Sequence, residues 1–199
     1  MNNFFRPLVF AILAAVALPG FSVQKAAEDK PDVGPSLAAQ SAADYLRTAA
    51  GADGAFIHAG FLKDSYTKDD LSSWLKYPTD TVIVLDLTGE QIRAAFELSV
   101  ALYPESNMSF LQVSGFEATF KKDGSADHRL VSVTANGAPL DNAKKYSVAM
   151  PALLAHGAVG YYRVWGKTKP AKELKDTTME SVLKGKKATL GGPRWSAQG

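Results

Sequence analysis

Few residues in this 199-residue chain could bind a metal ion or perform acid–base chemistry, and they lie far apart. The sequence contains three histidines, His58, His128 and His156, and no cysteine. The ligands of a metal site usually include residues at short sequence spacings, whereas successive histidines here are separated by 70 and 28 residues. Without cysteine there can be no disulfide, thiolate nucleophile or thiolate metal ligand. We therefore predict no metal site.

The three histidines differ in their sequence surroundings. His128 falls in a charged segment that we predict to be an exposed hairpin tip. His58 and His156 each follow an apolar run, where either a structural hydrogen bond or a ligand contact suits the residue.

Motifs for nucleophilic or phosphate chemistry are also missing. No Gly-x-Ser-x-Gly segment occurs, so no nucleophile elbow is predicted. The segment that ends in Gly166-Lys167-Thr168 resembles the end of a phosphate-binding loop, but five bulky residues rather than four separate Gly160 from Gly166. We predict no catalytic residue and no cofactor.

Residues 1–22 have the pattern of a secretory signal peptide. Arg6 precedes the apolar run Leu8–Phe21, which at about 14 residues is shorter than the about 20 that a spanning helix needs. We expect export to the periplasm or the extracellular space, with no stable membrane insertion after cleavage. Residues 23–35 are polar and proline-containing, and we interpret them as a flexible lead-in.

The remaining chain, residues 36–199, is long enough to bury a core as a single domain. Its charge is nearly balanced, with 22 basic and 20 acidic residues in the whole sequence. Proteins that bind nucleic acid usually carry a marked basic excess, so we expect no nucleic-acid partner.

The clearest structural signal lies in residues 80–100. The run Val82–Leu85 predicts a buried strand, and Thr88 with Gln91 forms the pattern of a helix capping box. The apolar face of the helix that follows is predicted from three- and four-residue spacing and comprises Ile92, Ala95, Phe96, Val100 and Tyr103.

Other patterns predict a mixture of helices and strands. Helices are expected from Ser36 to about Ala49, after Thr67 and over about 177–183. Strands are expected at 55–57, 110–121 with a bulge at Gly115, 131–133 and 146–150, with a hairpin turn at Asn136-Gly137. Because no βαβ rhythm repeats, the predicted class is α+β, with a mixed or antiparallel sheet and flanking helices.

Several segments in this order resemble the C-terminal domain of the 5′-nucleotidase family. The resemblance covers Ser36 to the C-terminus and is carried by Ala52–Leu62 (ADGAFIHAGFL), Leu75–Gln91, Phe110–Phe120 (FLQVSGFEATF), Leu130–Leu140 (LVSVTANGAPL) and Lys145–Tyr161 (KYSVAMPALLAHGAVGY). In that family an N-terminal domain holds two metal ions through Asp-x-His, Gly-Asn-His-Asp and Gly-His-x-His motifs. None of these motifs is present here. The C-terminal domain normally supplies substrate specificity.

The resemblance also implies which residues would face a nucleotide. It places Lys63 at the position of a phosphate-binding arginine, and Pro78 and Leu153 at those of two base-stacking aromatics, with Tyr77 beside Pro78. Val159 stands at the position of an aspartate that binds ribose. The predicted ligand-binding residues are His58, Lys63, Tyr77, His156, Tyr161 and Tyr162.

Three functions remain open at this stage. The first is an exported, non-catalytic binding module with a degenerate nucleotide pocket, whose ligand is a protein partner or a small molecule. The second is the specificity subunit of a split nucleotidase, with the metallophosphoesterase domain on a separate chain and Lys63 contacting a nucleotide phosphate. The third is an independent enzyme with an unrelated site near His156.

Overall fold

Two mixed sheets organise the chain in the computed structural model, which describes residues 30–67, 69–189, 191–192 and 194–199. The predicted signal peptide lies outside the described residues. The helices are α1 (Leu37–Ala50), α2 (Gly89–Val100), α3 (Ala152–Ala155), α4 (Tyr162–Trp165) and α5 (Met179–Leu183). The strands are β1 (Gly54–His58), β2 (Thr81–Thr88), β3 (Leu111–Ser114), β4 (Phe116–Lys121), β5 (Leu130–Ala135), β6 (Ala138–Pro139), β7 (Lys145–Pro151), β8 (Pro170–Thr178) and β9 (Trp195–Gln198).

The first sheet has the order β3-β1-β7-β2-β8, and the second has the order β6-β5-β4-β9. In the first sheet β1 and β7 run parallel, while β3, β2 and β8 pair antiparallel with their neighbours. The predicted α+β class with a mixed sheet and flanking helices is confirmed.

The central strands of the first sheet, β1, β7 and β2, are buried on both faces. Ile83 and Leu85 of β2 point into a core shared with α2 and the second sheet, while Val82 and Val84 point into a core under α1 and α5. Successive strand residues face opposite sides, so a strand buried on both sides is apolar throughout, as this segment is. Among the described residues, every helix is too short or too polar to cross a bilayer.

Helix α2 begins with the predicted capping box. The Thr88 hydroxyl accepts from the Gln91 amide at 3.2 Å, and the Gln91 side-chain oxygen accepts from the Thr88 amide at 3.0 Å. The Gln91 side-chain nitrogen also donates to the Val164 carbonyl at 3.1 Å, which ties the start of α2 to α4.

The predicted long strand over 110–121 is wrong, because Gly115 divides it between the two sheets. Gly115 has a φ of 78°, and a Cβ there would lie 2.2 Å from the Asp53 carbonyl oxygen. A glycine is therefore required at this point, where β3 leaves the first sheet and β4 enters the second.

Three other local predictions differ from the structure. The short helix after Thr67 is a 3-10 turn over Leu71–Trp74 whose N-cap is Asp70. No strand is predicted after residue 150, whereas the structure has β8 before the last helix and β9 after it. Residues 30–35, interpreted as part of a flexible lead-in, are held by the buried Gln112, whose amide nitrogen donates to the carbonyls of Pro31 and Gly34 at 2.9 Å each.

Candidate functional site

One edge of the first sheet gathers the predicted site residues. The parallel strands β1 and β7 end there at His58 and Pro151, while β2 begins there at Thr81 and β3 begins opposite His58 at Leu111. We use the name site edge for these strand ends and for the segments that connect to them, which are residues 59–80, 101–110 and 152–165. All six predicted ligand-binding residues lie at the end of β1 or in these segments.

His58 is buried at the end of β1, with 4% of its surface exposed. Its Nδ1 lies 3.3 Å from the Met108 carbonyl oxygen, which can only accept, so Nδ1 carries the proton. Nε2 is then a buried acceptor that has no partner among the described residues. Burial lowers the pKa of His58 to about 4, so the imidazole is neutral at physiological pH.

Lys63 lines an open cleft of about 380 Å³ at the site edge. Its ammonium group donates to the Ser73 carbonyl at 3.1 Å. The cleft also contains two further lysines, two carboxylates and an exposed methionine, which are Lys30, Lys76, Asp32, Asp64 and Met108. This cleft therefore has a mixed charge with more cations than anions. Sequence reasoning missed Lys76 and Met108, since neither stands in a motif.

The turn before β2 contacts the short helix after β7. The Asp80 carboxylate accepts from the Leu153 amide at 3.0 Å, and partial burial raises the pKa of this carboxyl group. His156 ends α3 as an exposed residue, and its charge acts on Asp80 in the opposite direction to burial. Tyr77 is half exposed, with its ring 5.6 Å from that of Phe61. The structure thus brings Tyr77, Asp80, Leu153 and His156 to one part of the edge.

The adjacent tyrosines Tyr161 and Tyr162 have opposite environments. Tyr161 is fully buried, stacks on Trp165 with ring centroids 4.6 Å apart, and donates its hydroxyl to the Ser109 carbonyl at 2.6 Å. Burial raises the pKa of Tyr161 well above its usual value. Tyr162 is 59% exposed and accepts a hydrogen bond from Arg163. Of the two predicted ligand-binding tyrosines, only Tyr162 has a side chain that is accessible from solvent, because Tyr161 belongs to the core.

Val159 adopts an unusual backbone conformation for a β-branched residue. Its φ is 49° and its ψ is 34°, and its carbonyl accepts from the Ser109 hydroxyl at 2.6 Å. Left-handed backbone is disfavoured for a valine, and asparagine, aspartate or glycine would adopt it more readily. Apolar Val159 cannot accept a hydrogen bond through its side chain.

Exposed apolar side chains are concentrated at the site edge. Seven large hydrophobic residues are exposed in the described part of the chain. Five of them belong to the site edge: Tyr77, Leu102, Met108, Leu153 and Tyr162. Nowhere in the described ranges do three histidine, aspartate or glutamate side chains converge as a metal site. Exposed apolar and aromatic side chains are enriched at binding interfaces, so the chemistry of this surface is suited to binding a ligand or a partner rather than a metal ion.

Comparison with known proteins identifies the family that this fold belongs to. The family described as 5′-nucleotidase, C-terminal domain, matches residues 14–165, and the chain belongs to this family. The resemblance inferred from the sequence is thereby confirmed.

Two curated relatives match about half of the chain. A 5′-nucleotidase-related protein of Glossina morsitans morsitans is 35% identical over 120 aligned positions, and the alignment covers 54% of this chain and 22% of the relative. A snake venom 5′-nucleotidase of Naja atra is 31% identical over 108 aligned positions, and the alignment covers 50% of this chain and 20% of the relative. The chain therefore spans about a fifth of the length of these relatives.

Solved structures share the fold. The 5′-nucleotidase precursor of Thermus thermophilus superposes with a TM-score of 0.73 at 24% identity, over 85% of this chain and 37% of that one. The NAD nucleotidase of Haemophilus influenzae gives a TM-score of 0.64 at 19% identity, over 82% of this chain and 33% of that one. At these identities the similarity establishes the fold alone.

Proposed function

We propose that this chain is an exported, non-catalytic binding module that keeps the 5′-nucleotidase C-terminal scaffold but no longer recognises ordinary nucleotides. The proposal of export rests on the signal-peptide pattern of residues 1–22. The proposal of binding without catalysis rests on the site edge, which offers apolar and cationic contacts and a neutral, buried His58.

The observation that carries the loss of nucleotide recognition is the chemistry of Pro78, Leu153 and Val159. A nucleotide pocket of this family would need aromatic faces at the first two positions and a hydrogen-bond acceptor at the third. Leu153 is 41% exposed, but it has no aromatic face, and Val159 has no polar side-chain atom. Loss of each base stack costs on the order of 1–3 kcal/mol, so binding of a nucleoside should be weakened by orders of magnitude.

A pair of variants tests whether these positions are the cause. In isothermal titration against AMP, the natural chain should give no binding heat at millimolar ligand. The Leu153→Phe/Val159→Asp variant restores one aromatic face and the acceptor, and should bind AMP measurably. A Val131→Phe variant adds an aromatic group at an exposed position of β5 in the second sheet and serves as control. AMP binding by the natural chain, or equal binding by the control, would contradict the proposal.

The split nucleotidase is the second candidate, and the cationic cleft favours it. Lys63 and Lys76 line the same cleft, where two ammonium groups could face a phosphate. A metallophosphoesterase domain without its own C-terminal domain would be mixed with this chain, and release of phosphate from AMP would be measured. Stimulation that Lys63→Ala abolishes and Lys63→Arg retains would favour this function, whereas unchanged release would exclude Lys63 from it.

A further inference from the structure

The open cleft at the site edge is lined by positive charges that two backbone hydrogen bonds hold side by side. Lys63 and Lys76 both line it. The Lys63 amide donates to the Trp74 carbonyl at 2.8 Å, and the Lys76 amide donates to the Phe61 carbonyl at 3.0 Å. These bonds join residues 61–63 and 74–76 as a short antiparallel contact, so the two lysines belong to the same part of the cleft wall.

A carboxylate is held in place on a separate segment of the cleft wall. The Asp32 Oδ2 accepts from the Ser106 hydroxyl at 2.6 Å, and the Asp32 carbonyl accepts from the Asn107 amide at 2.7 Å. In the described part of the chain, nothing donates a hydrogen bond to the Asp32 Oδ1. An ammonium group of a ligand can therefore donate to this oxygen.

The opposite charges of the cleft do not neutralise one another. No side-chain nitrogen of Lys63 or Lys76 lies within 4.0 Å of a carboxylate oxygen of the described residues. The Lys63 ammonium donates to the Ser73 carbonyl, which leaves two of its three hydrogens for a ligand. Separated charges of both signs are the complement of a zwitterion, which carries a carboxylate and an ammonium group on one small molecule.

Apolar side chains line the same cleft. Ala59 and Leu62 are buried there, and Met108 is 47% exposed. The volume of about 380 Å³ is near the lower end of the range for small-molecule sites, so the ligand must be small. None of the three substituted nucleotide positions lines this cleft, so a ligand here does not depend on a base-binding pocket.

We propose that this cleft binds a small zwitterion with an apolar side chain, of the class of apolar amino acids and dipeptides with free ends. The ligand carboxylate accepts from Lys63 and Lys76, its ammonium group donates to Asp32, and its side chain packs on Met108. A phosphate would meet the carboxylates of Asp32 and Asp64 as well as the lysines, and like charges repel. This inference rests on the proposed function, because it names the chemical class that the binding module takes.

Isothermal titration of the purified chain at pH 7 with leucine and with leucyl-leucine tests the proposal. At least one of the two should bind saturably, with a Kd in the millimolar range or tighter. The tighter of the two shows which ligand length the cleft accepts. N-acetylleucine lacks the ammonium group and leucinamide lacks the carboxylate, so each should bind at least tenfold more weakly than leucine, or than leucyl-leucine if only the dipeptide binds. These comparisons use the natural chain alone, so they remain decisive if a variant does not fold.

Two variants assign the binding to the charges of the cleft. Asp32→Asn keeps the shape of the side chain and removes its charge, and Lys63→Gln/Lys76→Gln removes both cations. Each should weaken binding of the zwitterion at least tenfold. The matched control is Lys121→Gln/Lys122→Gln, which removes two charges at exposed positions at the end of β4 and should bind as the natural chain does.

Three results would overturn the proposal. They are no binding of either zwitterion at millimolar concentration, equal binding of the zwitterion and its two blocked analogues, and unchanged binding by a folded Lys63→Gln/Lys76→Gln variant. Binding of AMP in the same titration would instead contradict the loss of nucleotide recognition in the proposed function. The failure of the inference and the failure of the proposed function are therefore distinguishable.

Discussion

The buried His58 predicts a loss of stability at mildly acidic pH. The perturbation is a decrease from pH 7.5 to pH 5. In the unfolded chain this imidazole takes up a proton near its ordinary pKa of 6.5, whereas in the folded chain burial lowers the pKa to about 4. Between these values the unfolded chain binds more protons, so the free energy of unfolding must fall as the pH decreases.

The size of the effect follows from the two pKa values of His58. At a pH below both values, this pKa difference lowers the free energy of unfolding by about 3 kcal/mol. About 2 kcal/mol of this loss has already occurred at pH 5. For a domain of this length, a loss of about 2 kcal/mol corresponds to a decrease of roughly 4–8 °C in Tm.

Urea unfolding at pH 7.5 and pH 5 measures this loss, and His58→Gln removes the titrating group. The natural chain should lose about 2 kcal/mol more than His58→Gln over this interval. His156→Gln removes an exposed histidine and is the matched control, which should retain the loss. An equal pH dependence in the natural chain and His58→Gln would refute the assignment of His58 as a buried neutral group.

Three further substitutions test local features by urea unfolding. Val159→Asn should stabilise the chain by about 1 kcal/mol, because asparagine tolerates the left-handed backbone; destabilisation would show that the packing of Val159 outweighs its strain. Tyr161→Phe should lower the free energy of unfolding by about 1–3 kcal/mol, because the Ser109 carbonyl loses its hydrogen-bond donor. Tyr162→Phe, at the exposed neighbour, should lower it by less than about 0.5 kcal/mol. Equal decreases for the two variants would contradict this. Thr88→Ala should cost about 1 kcal/mol through the capping box, and a cost near zero would show that the cap is dispensable.

Local sequence signals predicted the elements that depend on neighbouring residues. The capping box of α2, the start of α1 at Ser36 and the turn at Asn136-Gly137 were all correct, because each is a contact within a few residues. Such contacts can be derived from residue type and spacing alone.

The features that sequence reasoning missed depend on long-range contacts. Gly115 suggested a bulge, and only the approach of Asp53 shows that it separates two sheets. Tyr161 and His58 have residue types that are common in binding sites, and their burial follows from packing against segments about 50 residues away. The order of β9 depends on a pocket that residues 96–120 build for Trp195.

The measurement that most directly tests the central claim is a thermal-shift titration of the purified chain with nucleosides, nucleotides and UDP-sugars. A ligand at 100 times its Kd would add about 2.7 kcal/mol to the stability of the folded state and raise Tm by several degrees. If Pro78, Leu153 and Val159 have removed nucleotide recognition, Tm should stay constant for every compound up to millimolar concentration. A saturable rise with any nucleotide would contradict the account and favour the split nucleotidase.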